Sequence, residues 1–110
     1  MTTPSQPDVF LALADKHRRE ILQVLMEQPS SINAIAEQFP ISRPAVSKHI
    51  KLLETSGFIR IEPQGRERIC HLNSEGFDQI RQWMDYFERY WHAQFIQLDE
   101  YLKQNPDSAD

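Results

Sequence analysis

Residues 31–59 read SINAIAEQFPISRPAVSKHIKLLETSGFI, and their apolar spacing describes two short helices joined by a tight turn. Ser31 is a good cap for the first, INAIAEQF, which sets Ile32, Ile35, Ala36 and Phe39 on one face before Pro40 ends it. Ser42 caps the second, with Pro44 in the first turn, where a missing N–H does no harm. Val46, Ile50 and Leu53, with Leu52 beside them, form its apolar stripe, and Gly57 marks its end. The period then changes. Phe58, Ile59 and Ile61 read as a strand, Gln64-Gly65 as a turn, and Arg68, Ile69, Cys70, His71 and Leu72 as the return strand. Two short helices so tightly joined, the second one basic and followed by a hairpin, are the parts of a winged helix-turn-helix.

Working outward, residues 1–7 are polar with two prolines and are expected to form a flexible tail. Asp8 can cap a first helix carrying Val9, Phe10, Leu11, Leu13 and Ala14. A second runs from about Lys16, with Ile21, Leu22, Val24 and Leu25 apolar, and stops before Pro29. Downstream, Ser74 is the expected cap of a long last helix, about residues 75–104, stopped near Pro106. The fold class is therefore mainly α with a β-hairpin wing and a long C-terminal dimerisation helix. The organisation expected is a single domain over residues 1–110: N-terminal helices in 8–28, the helix-turn-helix in 31–56, the wing in 58–72 and the dimerisation helix in 74–104.

The bulk properties agree. A chain of 110 residues, 40% hydrophobic and 25% charged, has material for one modest core. Three glycines among many Leu, Ile, Glu, Gln and Ala favour helix. No apolar run approaches the roughly 20 residues of a membrane span, and the amino terminus lacks the layout of a secretion signal. Cys70 is alone, so a reducing compartment, by default the cytoplasm, is expected. The net charge of −4 is unevenly spread. In residues 42–68, Arg43, Lys48, Lys51, Arg60, Arg66 and Arg68 face only Glu54, Glu62 and Glu67, leaving +3. Beyond that window, eight acids outnumber three bases. A basic middle between acidic flanks suits contact with a polyanion.

The helix from Arg43 would be roughly 20 Å long, a fit to a major groove. With Val46, Ile50 and Leu53 turned inward, Arg43, Ser47, Lys48 and Lys51 lie on or near the outward side. Arg43 and Ser47 stand at its start, where recognition helices touch base edges, and Arg pairs with guanine through two hydrogen bonds. Lys48 and Lys51 suit phosphates. His49 borders the apolar stripe, where a phosphate contact and a packed, hydrogen-bonded position are both open. Arg66 and Arg68 flank the hairpin turn, as a wing that reaches an adjacent groove or as charges that guard an edge strand.

LALADKHRREILQVL, the 31–59 stretch and the GRER wing together resemble the ArsR family of bacterial winged-helix repressors, over about residues 10–102, with SRPAVSKHIKLL the most specific segment. The resemblance implies a homodimer on double-stranded DNA that leaves its operator upon a signal. It matches Ser42, Arg43, Pro44, Ser47, Lys48 and His49 to the recognition-helix motif, and Gly65, Arg66 and Arg68 to the wing. Arg18 matches a second-helix arginine that contacts the DNA backbone or packs helices.

In the last helix Phe77, Met84, Trp91 and Leu98 recur every seventh residue. Trp83, Phe87, Tyr90, Phe95 and Leu102 add more apolar surface than so small a core absorbs, so a partner subunit is the expected burial site, with Phe10 and Leu13 of the first helix joining it. This aromatic helix, with YWHAQFIQLDEYL, is similar to that of a metal-independent ArsR subgroup, so neither cofactor nor metal ligand is expected. The helix INAIAEQF lacks the cysteine pair of the arsenic and cadmium type of site. Asp85, Glu88 and His92 share a face of the last helix, where a solvated surface and a metal site across a dimer both stay open, while His17 and His71 have no partner at ligand spacing. No glycine-rich phosphate loop or nucleophile motif points to an enzyme. Two other readings remain: a metal-sensing ArsR/SmtB-type repressor, and a protein-interaction module that uses the aromatic helix without binding DNA.

Overall fold

A computed structural model describes residues 8–105. Its elements run α1 (Val9–Leu13), α2 (Lys16–Glu27), β1 (Ser30–Ser31), α3 (Ile32–Ala36), α4 (Arg43–Thr55), β2 (Ile59–Gln64), β3 (Glu67–Leu72) and α5 (Ser74–Gln104). The fold is a mainly helical winged helix-turn-helix with a long last helix. The expected tail, residues 1–7, lies outside the described residues.

Local chemistry sets each start. Asp8 accepts a hydrogen bond from the Phe10 N–H, Asp15 from those of His17 and Arg18, Ser31 from Ala34 and Ser42 from Ala45. Each fills one or two of the N–H groups a helix start leaves unpaired. Asn73, rather than Ser74, supplies the side chain at the start of α5, accepting from the Glu75 N–H. Helix α3 ends at Ala36, one turn short of the INAIAEQF reading, because Glu37 to Pro40 turn toward the next helix. Gly57 closes α4 with φ +85°; its N–H bonds the Glu54 carbonyl and the Phe58 N–H that of Leu53. That pair of bonds is a Schellman close, which needs a residue at ease in the left-handed region.

The wing differs from the sequence reading in two ways. Gln64 pairs with Glu67, so the two-residue turn is Gly65-Arg66 instead of Gln64-Gly65. Gly65 at φ +63° in the first central position suits a type II′ turn. Ser30 and Ser31 also form a strand, pairing with Cys70 and Ile69, so among the described residues the sheet has the order β1–β3–β2. Pro63 sits on the edge strand β2, where a missing N–H removes least.

The core gathers Val9, Ala12, Ile21, Leu22, Leu25, Ile35, Val46, Ile50, Leu53, Phe58, Ile59 and Cys70. Val46, Ile50 and Leu53, at i, i+4 and i+7, seat α4 inward and leave its opposite side outward. Cys70 is fully buried. Burial, and then the Glu54 carboxylate, push its thiol up to about 11, with Arg68 pulling the other way, so it stays protonated and inert. Cys70 therefore serves as a small packed residue of the core. Iodoacetamide at pH 8 is expected to leave native Cys70 unmodified by mass spectrometry while labelling the urea-unfolded chain fully; rapid native labelling would contradict this burial.

The chain divides into two compact units after Ile80. The first carries every element up to the start of α5; the second is the rest of that helix, whose side chains to Asn105 are all exposed. No helix among the described residues is long and apolar enough to cross a membrane.

Candidate nucleic-acid interface

Helix α4 presents an unequal pair of faces. Arg43, Pro44, Lys48 and Lys51 are exposed, and Ser47 and His49 are half-buried. Ser42 holds the helix start through its hydroxyl oxygen, 3.2 Å from the Ala45 nitrogen. The Lys51 ammonium lies 3.4 Å from a Glu54 carboxylate oxygen, a solvated pair worth little and easily exchanged for a phosphate.

Three cationic candidates meet. Arg43, Arg66 and Arg68 line one shallow depression of about 100 Å³, completed by Ser31, Ile32, Asn33 and Glu67. The start of α3, the start of α4 and the wing tip thus border a single hollow with three guanidinium groups against one carboxylate. Guanidinium groups donate to phosphate in a fixed planar fork and keep their charge at any working pH. Asn33 was not singled out from sequence; its position just inside the Ser31 cap was the available signal.

Arg18 lies away from that hollow. Its Nε donates to the Ala12 carbonyl (2.7 Å), one terminal nitrogen to the Leu11 carbonyl (3.1 Å) and the other approaches His49 Nδ1 at 3.2 Å. The guanidinium therefore closes the end of α1 and ties it to α4. Of the two roles open to Arg18, helix packing is the one this geometry supplies. His49 is similarly engaged: Nδ1 faces Arg18, and Nε2 lies 4.0 Å from Asp15 Oδ1. Burial lowers its pKa below the usual histidine value; Asp15 opposes that shift, and Arg18 and His17 add to it.

The expectation that His17 lacks a partner at ligand spacing is overturned. One donor atom each of Asp15, His17 and His49 lies within 4.8 Å of the others. Residue spacing along a chain cannot reveal a partner on another helix. Among the described residues Asp85, Glu88 and His92 do not converge in this way, although with Arg89 they line one hollow on α5.

On the second unit the rings stand out from the helix. Trp83, Phe87, Tyr90, Trp91, Phe95, Leu98 and Leu102 are 37–63% exposed. Ring contacts run along them: Trp83–Phe87 at 4.7 Å, Tyr90–Trp91 at 5.2 Å and Trp91–Phe95 at 6.5 Å. In the first unit Phe10 is exposed at 41%, whereas Leu13 packs partly against the core.

The comparisons fit this geometry. A family model described as a helix-turn-helix domain matches residues 13–62. The chain is 37% identical over 92 residues to the HTH-type transcriptional regulator Rv2034 of Mycobacterium tuberculosis, covering 83% of each chain. It is 32% identical over 77 residues to the transcriptional repressor SdpR of Bacillus subtilis, covering 70% of this chain and 86% of that one. The crystal structure of an ArsR family transcriptional regulator superposes with a TM-score of 0.71 at 36% identity, over 77% of this chain and 93% of the other. The chain belongs to the ArsR family of winged helix-turn-helix transcriptional regulators. The match spans α2, both helices of the helix-turn-helix and β2 as far as Glu62, so it takes in the α3 and α4 sides of the hollow, while Arg66, Glu67 and Arg68 of the wing lie beyond it. In this ArsR regulator α4 is the second helix of the helix-turn-helix.

Proposed function

We propose that this ArsR protein is a cytoplasmic homodimeric repressor, without enzymatic activity, that binds an imperfect palindrome and leaves it upon a signal. The whole chain acts as one winged helix-turn-helix domain. Arg43, with Ser42, Pro44 and Ser47 at the start of α4, faces base edges in the major groove. Lys48, Lys51 and the wing residues Arg66 and Arg68 hold phosphates, with Arg18 and His49 supporting them from behind. The single observation that carries this reading is the shared hollow of Arg43, Arg66 and Arg68 between the start of α4 and the wing. Repression, as the name of SdpR has it for that protein, is the regulatory sense favoured here.

Protection mapping on promoter DNA next to the chain's own gene would supply an operator, and fluorescence anisotropy would then give affinities. Arg43→Ala is expected to cost about 1–3 kcal/mol and to relax preference at one base pair. Equal loss on every operator variant would remove Arg43 from base reading. Affinity should fall about 10³–10⁵-fold between 50 and 200 mM salt if about six to ten phosphates are held. No salt-dependent binding would favour the protein-interaction reading.

A further inference from the structure

We infer that Asp15, His17 and His49 form a binding site for one first-row divalent transition ion, with zinc the best chemical fit. The site goes beyond the DNA reading and does not depend on it. Its three donors come from two elements: the start of α2 supplies its cap Asp15 and His17, and α4 supplies His49. His17 Nδ1 lies 3.8 Å and His49 Nε2 4.0 Å from the same Asp15 oxygen, and the two imidazole rings are 5.8 Å apart. Phe39 meets the His17 ring edge-on at 6.2 Å and limits where it can swing. The side chains of Asp15, His17 and His49 are 36%, 35% and 18% exposed, so an ion has a path in and keeps solvent on one side.

The donor set suits zinc. Two imidazoles and a carboxylate with one open position make a three-ligand tetrahedral centre, and borderline-soft nitrogen selects zinc, nickel or cobalt over magnesium or calcium. Bonds of about 2.0–2.1 Å set tetrahedral donors roughly 3.3 Å apart, so the side chains must close by about 1 Å. Half-exposed His17 has room for that movement.

The neighbour of the site gives the ion something to act on. A guanidinium only donates, so His49 Nδ1 accepts from Arg18 and the ring carries its proton on Nε2. An ion at Nε2 needs that nitrogen's lone pair, so the neutral ring must carry its proton on Nδ1 instead, where it opposes the Arg18 donor. Zinc and the Arg18 contact therefore compete for one ring. That competition holds affinity below what the same donors would give alone, and it links the ion to the helix that carries Arg43.

The test uses the full chain freed of metal, titrated with zinc chloride by calorimetry, and with cobalt by its visible absorption. Wild type and His92→Ala should each take one ion per chain. His17→Ala should weaken binding more than the about 10–100-fold that follows loss of a ligand's supporting partner. Asp15→Asn should weaken it too, because asparagine keeps the helix cap while removing the carboxylate charge. Circular dichroism verifies that the variants fold. Retention of zinc by both of these variants with loss in His92→Ala would move the site to α5 and overturn the inference. Absence of zinc binding by wild type would leave the triad a capping network and overturn it equally.

Discussion

Trp91→Glu is expected to turn the proposed dimer into a folded monomer and to lower operator affinity by about 10²–10⁴-fold. Trp91 is 53% exposed, between Tyr90 and Phe95 in the band of rings along α5. Covering the remaining half of such a ring removes about 100 Å² from water, roughly 2–3 kcal/mol per copy. In a two-fold interface each patch meets its own copy, so one substitution acts twice and brings two carboxylates toward the axis. Losing the partner also removes the effective concentration that a bound half-site gives the second one, which accounts for the size of the DNA effect. Because the ring is on the surface of its own chain, helicity and melting of the protomer should change little at low concentration. Sedimentation equilibrium with anisotropy on the same samples checks both parts. A variant that remains dimeric with full operator affinity would place the interface elsewhere.

Phe58→Ala should destabilise the chain by about 3–5 kcal/mol, a large share of the about 5–15 kcal/mol by which a small domain is held. Phe58 is fully buried, the bulkiest side chain to be so among the described residues, and its ring meets Phe77 edge-on at 4.9 Å. Its backbone N–H closes α4 on the Leu53 carbonyl, and its carbonyl accepts from the Asn73 N–H at 2.8 Å. On the far side lies Gly76, where a Cβ would come within 2.7–2.8 Å of the ring carbons. The ring therefore fills a space that its neighbours are shaped around, and alanine would leave a cavity between the end of α4 and the start of α5. Urea titration should show a lower midpoint with little change of slope. A loss below about 1 kcal/mol would mean that the site collapses to fill the void.

Most of the scaffold was legible because its boundaries are chemical. Ser31, Ser42, Pro44 and Gly57 mark helix ends by what their side chains or backbones can do locally, and each stands where expected. Strand β1 was missed because two residues have no period to detect; it exists through pairing with Cys70 and Ile69, far along the chain. The hairpin turn slipped by one residue because Gln64 and Gly65 are both acceptable turn residues, and only the Gln64–Glu67 pairing decides between them. At the site, the outward charges of α4 followed from its inward stripe, since a helix with a buried face must show the opposite one. Arg18 and His17 were harder. What they do depends on Leu11 and Ala12 carbonyls and on an imidazole 31 or 32 residues away, which a reading of neighbours along the chain does not see.

The two-residue strand β1 anchors only the inner half of the hairpin. Ser30 and Ser31 grip Cys70 and Ile69, and Ser31 goes on to start α3, so that end is locked to the helix-turn-helix. Past Glu62 and Ile69 the arm is held by its own rungs alone. Its outer loop is thus an interchangeable part: residues 63–68 can be lengthened, shortened or recharged without disturbing how α3 and α4 are mounted.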